Sequence, residues 1–125
     1  MLPCRPLLAG RPVVFDAAYL PRTTALLAQA SRMLQAAGFE EQTARQSLAS
    51  LMGSALDNLN TGPPAEVITG PIARGDVRTV QMHLHALAAY DPRIHSTYIH
   101  LARTALELSR ESLRPEAAEA IEALL

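Results

Sequence analysis

The residues whose types and spacing favour a particular chemistry lie between Thr69 and Asp76, where the sequence reads TGPIARGD. Gly70 and Gly75 permit a positive φ angle or a close approach of the backbone to another group. Arg74 adds a planar, permanently charged guanidinium, which binds a carboxylate or phosphate through two parallel hydrogen bonds. Because the segment leads into a predicted helix N-terminus, with its free N–H groups and positive potential, the pattern favours binding of a small anion.

A structural interpretation of the same segment stays open. It is then a tight connection between two helices, in which Arg74 pairs with Asp76 or with a neighbouring carbonyl. In either case Asp76 is the expected N-cap of the next helix, because its carboxylate accepts hydrogen bonds from free N–H groups. The segment is not a P-loop, which needs a lysine and a preceding strand. The candidate anion-binding or substrate-binding residues are Thr69, Gly70, Arg74, Gly75 and Asp76.

A second group of polar residues, Asp57, Asn58 and Asn60, stands where the preceding helix is expected to end. Asn and Asp collect at helix ends because their side chains serve the free backbone groups there. The functional alternative is that Asn58 points inward and contacts the substrate. Asn58 is therefore included among the candidate site residues.

The four histidines do not have the spacing of a metal site. His83 and His85 are two residues apart, which turns them about 200° from each other on a helix, whereas paired helical ligands are three or four apart. His95 and His100 are five apart, which is nearly as unfavourable. The single cysteine, Cys4, forms no intramolecular disulfide, so we expect no metal and a reducing, cytoplasmic location.

The composition narrows the class of protein. Of the 125 residues, 49% are hydrophobic and 18% charged, which is typical of a folded chain. All eleven basic residues are Arg and twelve are acidic, so lysine-based catalysis is excluded for this sequence and the net charge of -1 favours neither nucleic acid nor an anionic membrane. No apolar run approaches the roughly 18 residues of a membrane-spanning helix. The scarcity of aromatic residues and the abundance of Ala and Leu predict an all-α fold.

Helical periodicity, interrupted by Pro and Gly, predicts an irregular proline-rich arm over residues 1–14 and a single helical domain of about five helices over residues 15–125. The stretch Phe15–Leu20 is either a separate short turn or a kinked extension of the first helix, because Pro21 is costly inside a helix. The loop from Ala65 to Gly75 contains apolar residues and is expected to pack on the domain. The predicted helices run from Phe15 to before Gly38, over about 41–60, from Asp76 to Ala89, over about 92–111, and after Pro115.

The string ITGPIARGDVRTVQMHLHAL at residues 68–87, followed by YIHLARTALELS at residues 98–109, resembles the domain of unknown function 2520. That domain is the helical C-terminal half of NAD(P)-dependent oxidoreductases whose N-terminal half is Rossmann-like. The likeness covers about residues 15–109. It implies a fold similar to the C-terminal domains of 6-phosphogluconate dehydrogenase, ketopantoate reductase and pyrroline-5-carboxylate reductase, in which a helical domain pairs subunits and closes over the cofactor.

This sequence departs from the family pattern in two respects. The Gly-rich turn of a Rossmann half is missing, so NADP or NAD is expected only through a separately encoded Rossmann partner and not on this chain alone. Gly10 stands where the family has a His, and Ala17–Leu20 replaces a Ser-Asn-Tyr-Leu string. We therefore interpret the arm as unrelated sequence joined to the family domain.

The resemblance implies a helical substrate-binding and dimerisation domain of an oxidoreductase, inactive as this chain alone. The expected partners are a second copy of the chain, a Rossmann domain and a small anionic substrate. The alternative is a non-enzymatic helical self-association module that is a truncated remnant of the family. The sequence names neither the substrate nor a catalytic residue.

Overall fold

The computed structural model describes the backbone of residues 12–125 and the side chains of residues 21–125. These residues form helices and connecting segments and contain no strand, which confirms the all-α class. The helices are α1 (Pro12–Ala36), α2 (Glu41–Leu59), α3 (Pro64–Val67), α4 (Val77–Tyr90), α5 (Pro92–Ser109) and α6 (Pro115–Leu124), with a 3-10 turn (Arg110–Ser112) after α5.

The structure corrects one expectation about the first part of the chain and decides between the two alternatives for Phe15–Leu20 in favour of an extension of the first helix. The predicted arm lies outside the described residues as far as residue 11, and Gly10 with it, but residues 12–14 begin α1 instead of belonging to an irregular segment. Helix α1 then continues through Phe15–Leu20 and Pro21 without a break, so no separate turn precedes Pro21. A proline removes only one backbone hydrogen bond, and a helix of 25 residues retains the others on both sides of it.

The predicted loop over residues 65–75 is also partly wrong, because α3 occupies its first part. Pro64 is the first residue of α3, where the missing N–H of proline is not needed. The N–H of Ile68 bonds the carbonyl of Pro64 at 3.0 Å and ends this single turn. Four residues are too few for the periodicity of a helix to be visible in a sequence.

The chain divides into two compact units, one ending at Ala55 and one formed by Leu56–Leu125. In the first unit, α1 ends at the predicted glycine: Gly38 has a φ of 98° and allows Phe39 N–H to bond the carbonyl of Leu34 at 3.1 Å. This is the hydrogen-bond pattern of a Schellman motif. The carboxylate of Glu40 then accepts hydrogen bonds from the N–H groups of Gln42 and Thr43, both at 3.2 Å, and caps α2.

Helix α2 carries an apolar face that the described side chains hardly cover. At 100° per residue, the apolar positions of its second half fall within an arc of about 140°. Only Ala44, near the start of the helix, is buried. Further along, Leu51, Leu56 and Leu59 expose 67%, 58% and 49% of their surface. The residues of this face, called the α2 apolar face below, are Leu48, Leu51, Met52, Ala55, Leu56 and Leu59.

The second unit has the larger core. Its buried side chains come from α4, α5, α6 and the segment that precedes α4, and Val80 and Ile121 are completely buried. Leu84 of α4 and Leu106 of α5 belong to the same core, in which these two helices pack against each other. The buried members of this core are Ile72, Val80, Leu84, Ala102, Leu106, Ala118 and Ile121.

Helices α4 and α5 meet at the predicted break, Asp91-Pro92. The N–H of Asp91 bonds the carbonyl of Leu87 at 3.0 Å and closes α4. Its carboxylate accepts a hydrogen bond from the N–H of Arg93 at 2.8 Å and so caps α5, whose first residue is Pro92. One residue thus ends one helix and begins the next, which brings α4 and α5 together as neighbours.

Candidate functional site

The segment from Gly70 to Asp76 is a closed turn. Gly70 has a φ of 102°, and its carbonyl accepts a hydrogen bond from Arg74 N–H at 3.1 Å. The N–H of Gly75 bonds the carbonyl of Ile72 at 3.0 Å, and the N–H of Asp76 bonds the carbonyl of Pro71 at 2.8 Å. These last two bonds, around a residue with positive φ, repeat the Schellman pattern. Three backbone N–H groups of the turn, those of Arg74, Gly75 and Asp76, are therefore used within the turn itself.

Gly75 also lies close to the start of α6 and to the segment that precedes it. Its φ is 69°, and a Cβ atom placed there would lie 3.1 Å from the Cβ of Ala117 and 3.2 Å from a methyl carbon of Leu113. Beside it, Ile72 reaches the core and is 8% exposed. The expectation that the apolar residues of this loop pack on the domain is thus confirmed for Ile72.

Asp76 is the N-cap of α4, as predicted. Its Oδ1 accepts a hydrogen bond from the N–H of Thr79 at 3.1 Å, and its Oδ2 accepts one from the Thr79 hydroxyl at 2.7 Å. These bonds favour the charged form, so the hydrogen bonds from Thr79, with smaller effects of Arg74 and Arg78, lower the pKa of Asp76 below its ordinary value of 3.8. The N-terminus of α4 is therefore occupied by a carboxylate of the same chain.

The side chain of Arg74 is exposed and makes no hydrogen bond or ion pair with the described residues. It acts on Asp76 only through its charge, together with the equally exposed Arg78. The pairing of Arg74 with Asp76 or with a carbonyl, which the structural interpretation requires, is not formed among the described residues. Thr69, which precedes the turn, is exposed as well. A ligand at this end of α4 would meet the exposed side chains of Arg74 and Arg78 beside the Asp76 carboxylate, which already accepts the N–H of Thr79.

Asn58 lies near the end of α2 and is exposed. Its carbonyl accepts hydrogen bonds from the N–H of Thr61 at 2.9 Å and from the Thr61 hydroxyl at 2.7 Å, which close the helix end. No hydrogen bond among the described residues connects Asn58 with the turn at Gly70–Asp76. The structure therefore places the two parts of the candidate site on separate segments.

One pair of polar residues was not anticipated from the sequence. Nδ1 of His83 on α4 lies 3.2 Å from the hydroxyl of Tyr98 on α5, and the two rings meet edge to face with centroids 5.8 Å apart. Burial raises the pKa of Tyr98 above its ordinary value of 10.0. The sequence feature that could have predicted this contact is the distance from Asp91, where α4 and α5 join. His83 lies eight residues before Asp91 and Tyr98 lies seven residues after it, so two antiparallel helices bring them to the same level. Spacing within one helix could not show it.

Groups of three or more His, Cys, Asp or Glu side chains arranged to hold a metal ion do not occur among the described residues. Within residues 12–125, no helix is both long enough and apolar enough to cross a bilayer.

Residues 12–125 form a helical domain in which this turn connects two helices. Comparison with family models assigns this domain to a protein family. Residues 14–105 match the family described as "Domain of unknown function (DUF2520)", and the chain belongs to this family. No curated protein and no solved structure matches the chain.

Substitutions of three glycines by alanine distinguish backbone strain at a positive φ from close packing around the added Cβ atom. We expect Gly75→Ala to lower the free energy of unfolding by about 1 to 3 kcal/mol, because the new Cβ meets both a left-handed backbone and close neighbours. Gly70→Ala adds a Cβ at a φ of 102° with nothing within 4 Å, so its cost reports backbone strain without a packing clash. Gly53→Ala, inside α2 with nothing near its Cβ, should gain about 0.5 to 1 kcal/mol. Urea unfolding measures all three, and equal stability of Gly75→Ala and the parent would contradict the packing.

Proposed function

We propose that this chain is the helical substrate-binding and dimerisation domain of an NAD(P)-dependent oxidoreductase that works in the cytoplasm. The resemblance of residues 68–87 and 98–109 to the helical half of such enzymes supports the proposal, together with membership of the same family. A dinucleotide is normally held by a Gly-rich turn between a strand and a helix. Residues 12–125 consist of helices and their connections, so the hydride chemistry belongs to a Rossmann domain.

The observation that carries the dimerisation role is the α2 apolar face. A leucine that exposes more than half of its surface is ordinary when it is isolated, but a continuous apolar face on one helix marks an interaction surface. Leu51, Leu56 and Leu59 together form such a face. A second copy of the chain is the proposed partner, because a two-fold axis lets the same helix face pack against itself.

We expect the parent chain to be a dimer at micromolar concentration, with twice the 13.5 kDa mass of one chain. The double variant Leu51→Glu, Leu59→Glu should be a folded monomer, because two carboxylates on each α2 face would have to be buried without partners. Ser50→Glu is the matched control: it adds a charge to the exposed opposite side of α2 and should leave the dimer intact. Light scattering after size-exclusion chromatography measures the mass. A parent chain of 13.5 kDa would contradict the proposal.

The proposed substrate contact is Arg74. An exposed guanidinium without a partner keeps all five of its N–H donors for a ligand oxygen, and Arg78 adds a second positive charge at the same end of α4. In this proposal Gly70, Gly75 and Asp76 shape the turn that presents Arg74. Thr69 and Asn58 contribute exposed polar side chains.

Because Arg74 has no partner among the described residues, Arg74→Ala should change the free energy of unfolding by less than about 0.5 kcal/mol. Citrate or phosphate should raise the melting temperature of the parent and not that of the variant, since only the parent binds the anion. Arg93→Ala is the control, because Arg93 is also exposed but lies at the start of α5 beside Asp91. A variant that melts several degrees lower, with a parent indifferent to anions, would instead show a purely structural arginine.

The alternative is a helical self-association module without a catalytic role. It is favoured by the carboxylate of Asp76, which occupies the N-terminus of α4 and leaves fewer donors for an anionic substrate. Both proposals include a dimer. They differ in whether a nicotinamide dinucleotide is ever held near this domain.

Calorimetric titration with NADPH tests the difference. We expect the chain alone to bind NADPH weakly and to show no turnover, because the dinucleotide site lies in a Rossmann domain. Addition of a separately produced Rossmann half of the same enzyme should create tighter NADPH binding that needs both components. Micromolar affinity of the chain alone would mean that the cofactor site is misplaced, and no effect of the Rossmann half would favour the self-association module.

A further inference from the structure

A groove of about 300 Å³ lies on the second unit, between the end of α5 and α6. Its floor is apolar and consists of Leu106, which belongs to the core, and Leu125, which packs against it. Its rim carries two cations and two anions. The charged residues are Arg103 and Glu107 on α5, Arg110 in the 3-10 turn, and Glu122 on α6. The groove is separate from the turn at Gly70–Asp76 in its lining residues.

Arg103 and Glu107 are four residues apart on α5, the spacing at which opposite charges usually pair on a helix. Here they do not form an ion pair. The Nη2 of Arg103 instead donates a hydrogen bond to the carbonyl oxygen of Leu125 at 2.6 Å. Glu107 makes no hydrogen bond or ion pair with the described residues and is exposed. Within the groove, Arg103 therefore binds the carbonyl oxygen of Leu125. The carboxylate of Glu107 beside it has no partner among the described residues.

The other two charges form an exposed ion pair. The Nη2 of Arg110 lies 3.1 Å from Oε1 of Glu122, and the two side chains are 46% and 60% exposed. Ion pairs with that exposure are weak, because water solvates both groups and salt screens them. Arg110 can therefore turn from Glu122 to a ligand carboxylate at small cost.

We propose that this groove binds a small zwitterion with an apolar side chain, the chemistry of a free aliphatic α-amino acid. Its carboxylate binds to Arg110 and to the N–H groups of Arg103 that the bond to Leu125 leaves unused, because a planar guanidinium carries five donors. Glu107 takes its ammonium group. The apolar side chain lies on Leu106 and Leu125, where burial of its methyl groups contributes to binding. A ligand with only a negative charge would leave Glu107 without a partner, and a ligand with only a positive charge would not bind to Arg103 and Arg110.

The test uses the full chain and three probes: L-leucine, N-acetyl-L-leucine, which lacks the ammonium group, and L-leucinamide, which lacks the carboxylate. NMR titration of backbone amides should show saturable shifts of α5 and α6 residues with L-leucine. A dissociation constant of about 1 to 10 mM is expected for so few contacts in an open groove. N-acetyl-L-leucine and L-leucinamide each lack one charged group, so both should bind at least about threefold more weakly than L-leucine, as for the loss of one exposed charge contact.

Glu107→Gln should weaken L-leucine binding about threefold or more and leave N-acetyl-L-leucine unchanged, because only the first probe offers an ammonium group. Glu119→Gln is the matched control, since Glu119 is also exposed on α6 but does not line the groove. The absence of saturable shifts with L-leucine would overturn the proposal. So would equal effects of the two substitutions, or equal affinity for L-leucine and its two analogues. This test does not depend on the oxidoreductase proposal, because it needs neither dinucleotide nor turnover.

Discussion

The contact of Gly75 with Leu113 and Ala117 is the constraint on which the second unit depends. It places the turn against the segment that leads into α6, and it leaves room for no side chain atom between them. The same turn sends Ile72 into the core and positions Asp76 as the cap of α4. One close backbone approach thus determines where α4 begins and how α4 meets α6.

Burial is unevenly distributed along the chain. The unit from Leu56 to Leu125 has a core that includes Val80 and Ile121, both without exposed surface, whereas α2 buries only Ala44. Since burial of apolar surface is the main favourable contribution to folding, the α2 apolar face represents stabilisation that the side chains of residues 21–125 do not provide within one copy. This is the physical basis for proposing that a second copy covers it.

Arginine serves several purposes in a chain without lysine. Arg103 holds the carbonyl of Leu125, Arg110 pairs with Glu122, and Arg74 has no partner among the described residues. Only the first of these contacts joins a guanidinium to a backbone oxygen of another helix segment. Arg74, at the start of α4, and Glu107, in the groove, have no partner among the described residues, whereas Arg103 and Arg110 enter the proposed groove site with partners of their own.

Sequence reasoning located most of the helices because their ends are determined locally. Gly38, Asp76 and the Asp91-Pro92 pair each act on the backbone within a few residues, through a positive φ, a capping carboxylate or a missing N–H. The family, too, was identified from a contiguous string of residues. The weak points were Pro21, which the surrounding helix tolerates, and α3, which is too short for a period.

Tertiary structure alone decided the features that depend on residues far apart in the sequence. The sequence indicated that Gly75 could allow a close approach, but only the fold shows that Ala117 is the neighbour. The pairing of His83 with Tyr98 depends on the register of two helices. Glu107 is free because Arg103 turns to an oxygen 22 residues away along the chain. Each of these is a contact across space, and local propensity carries no information about which distant residue makes it.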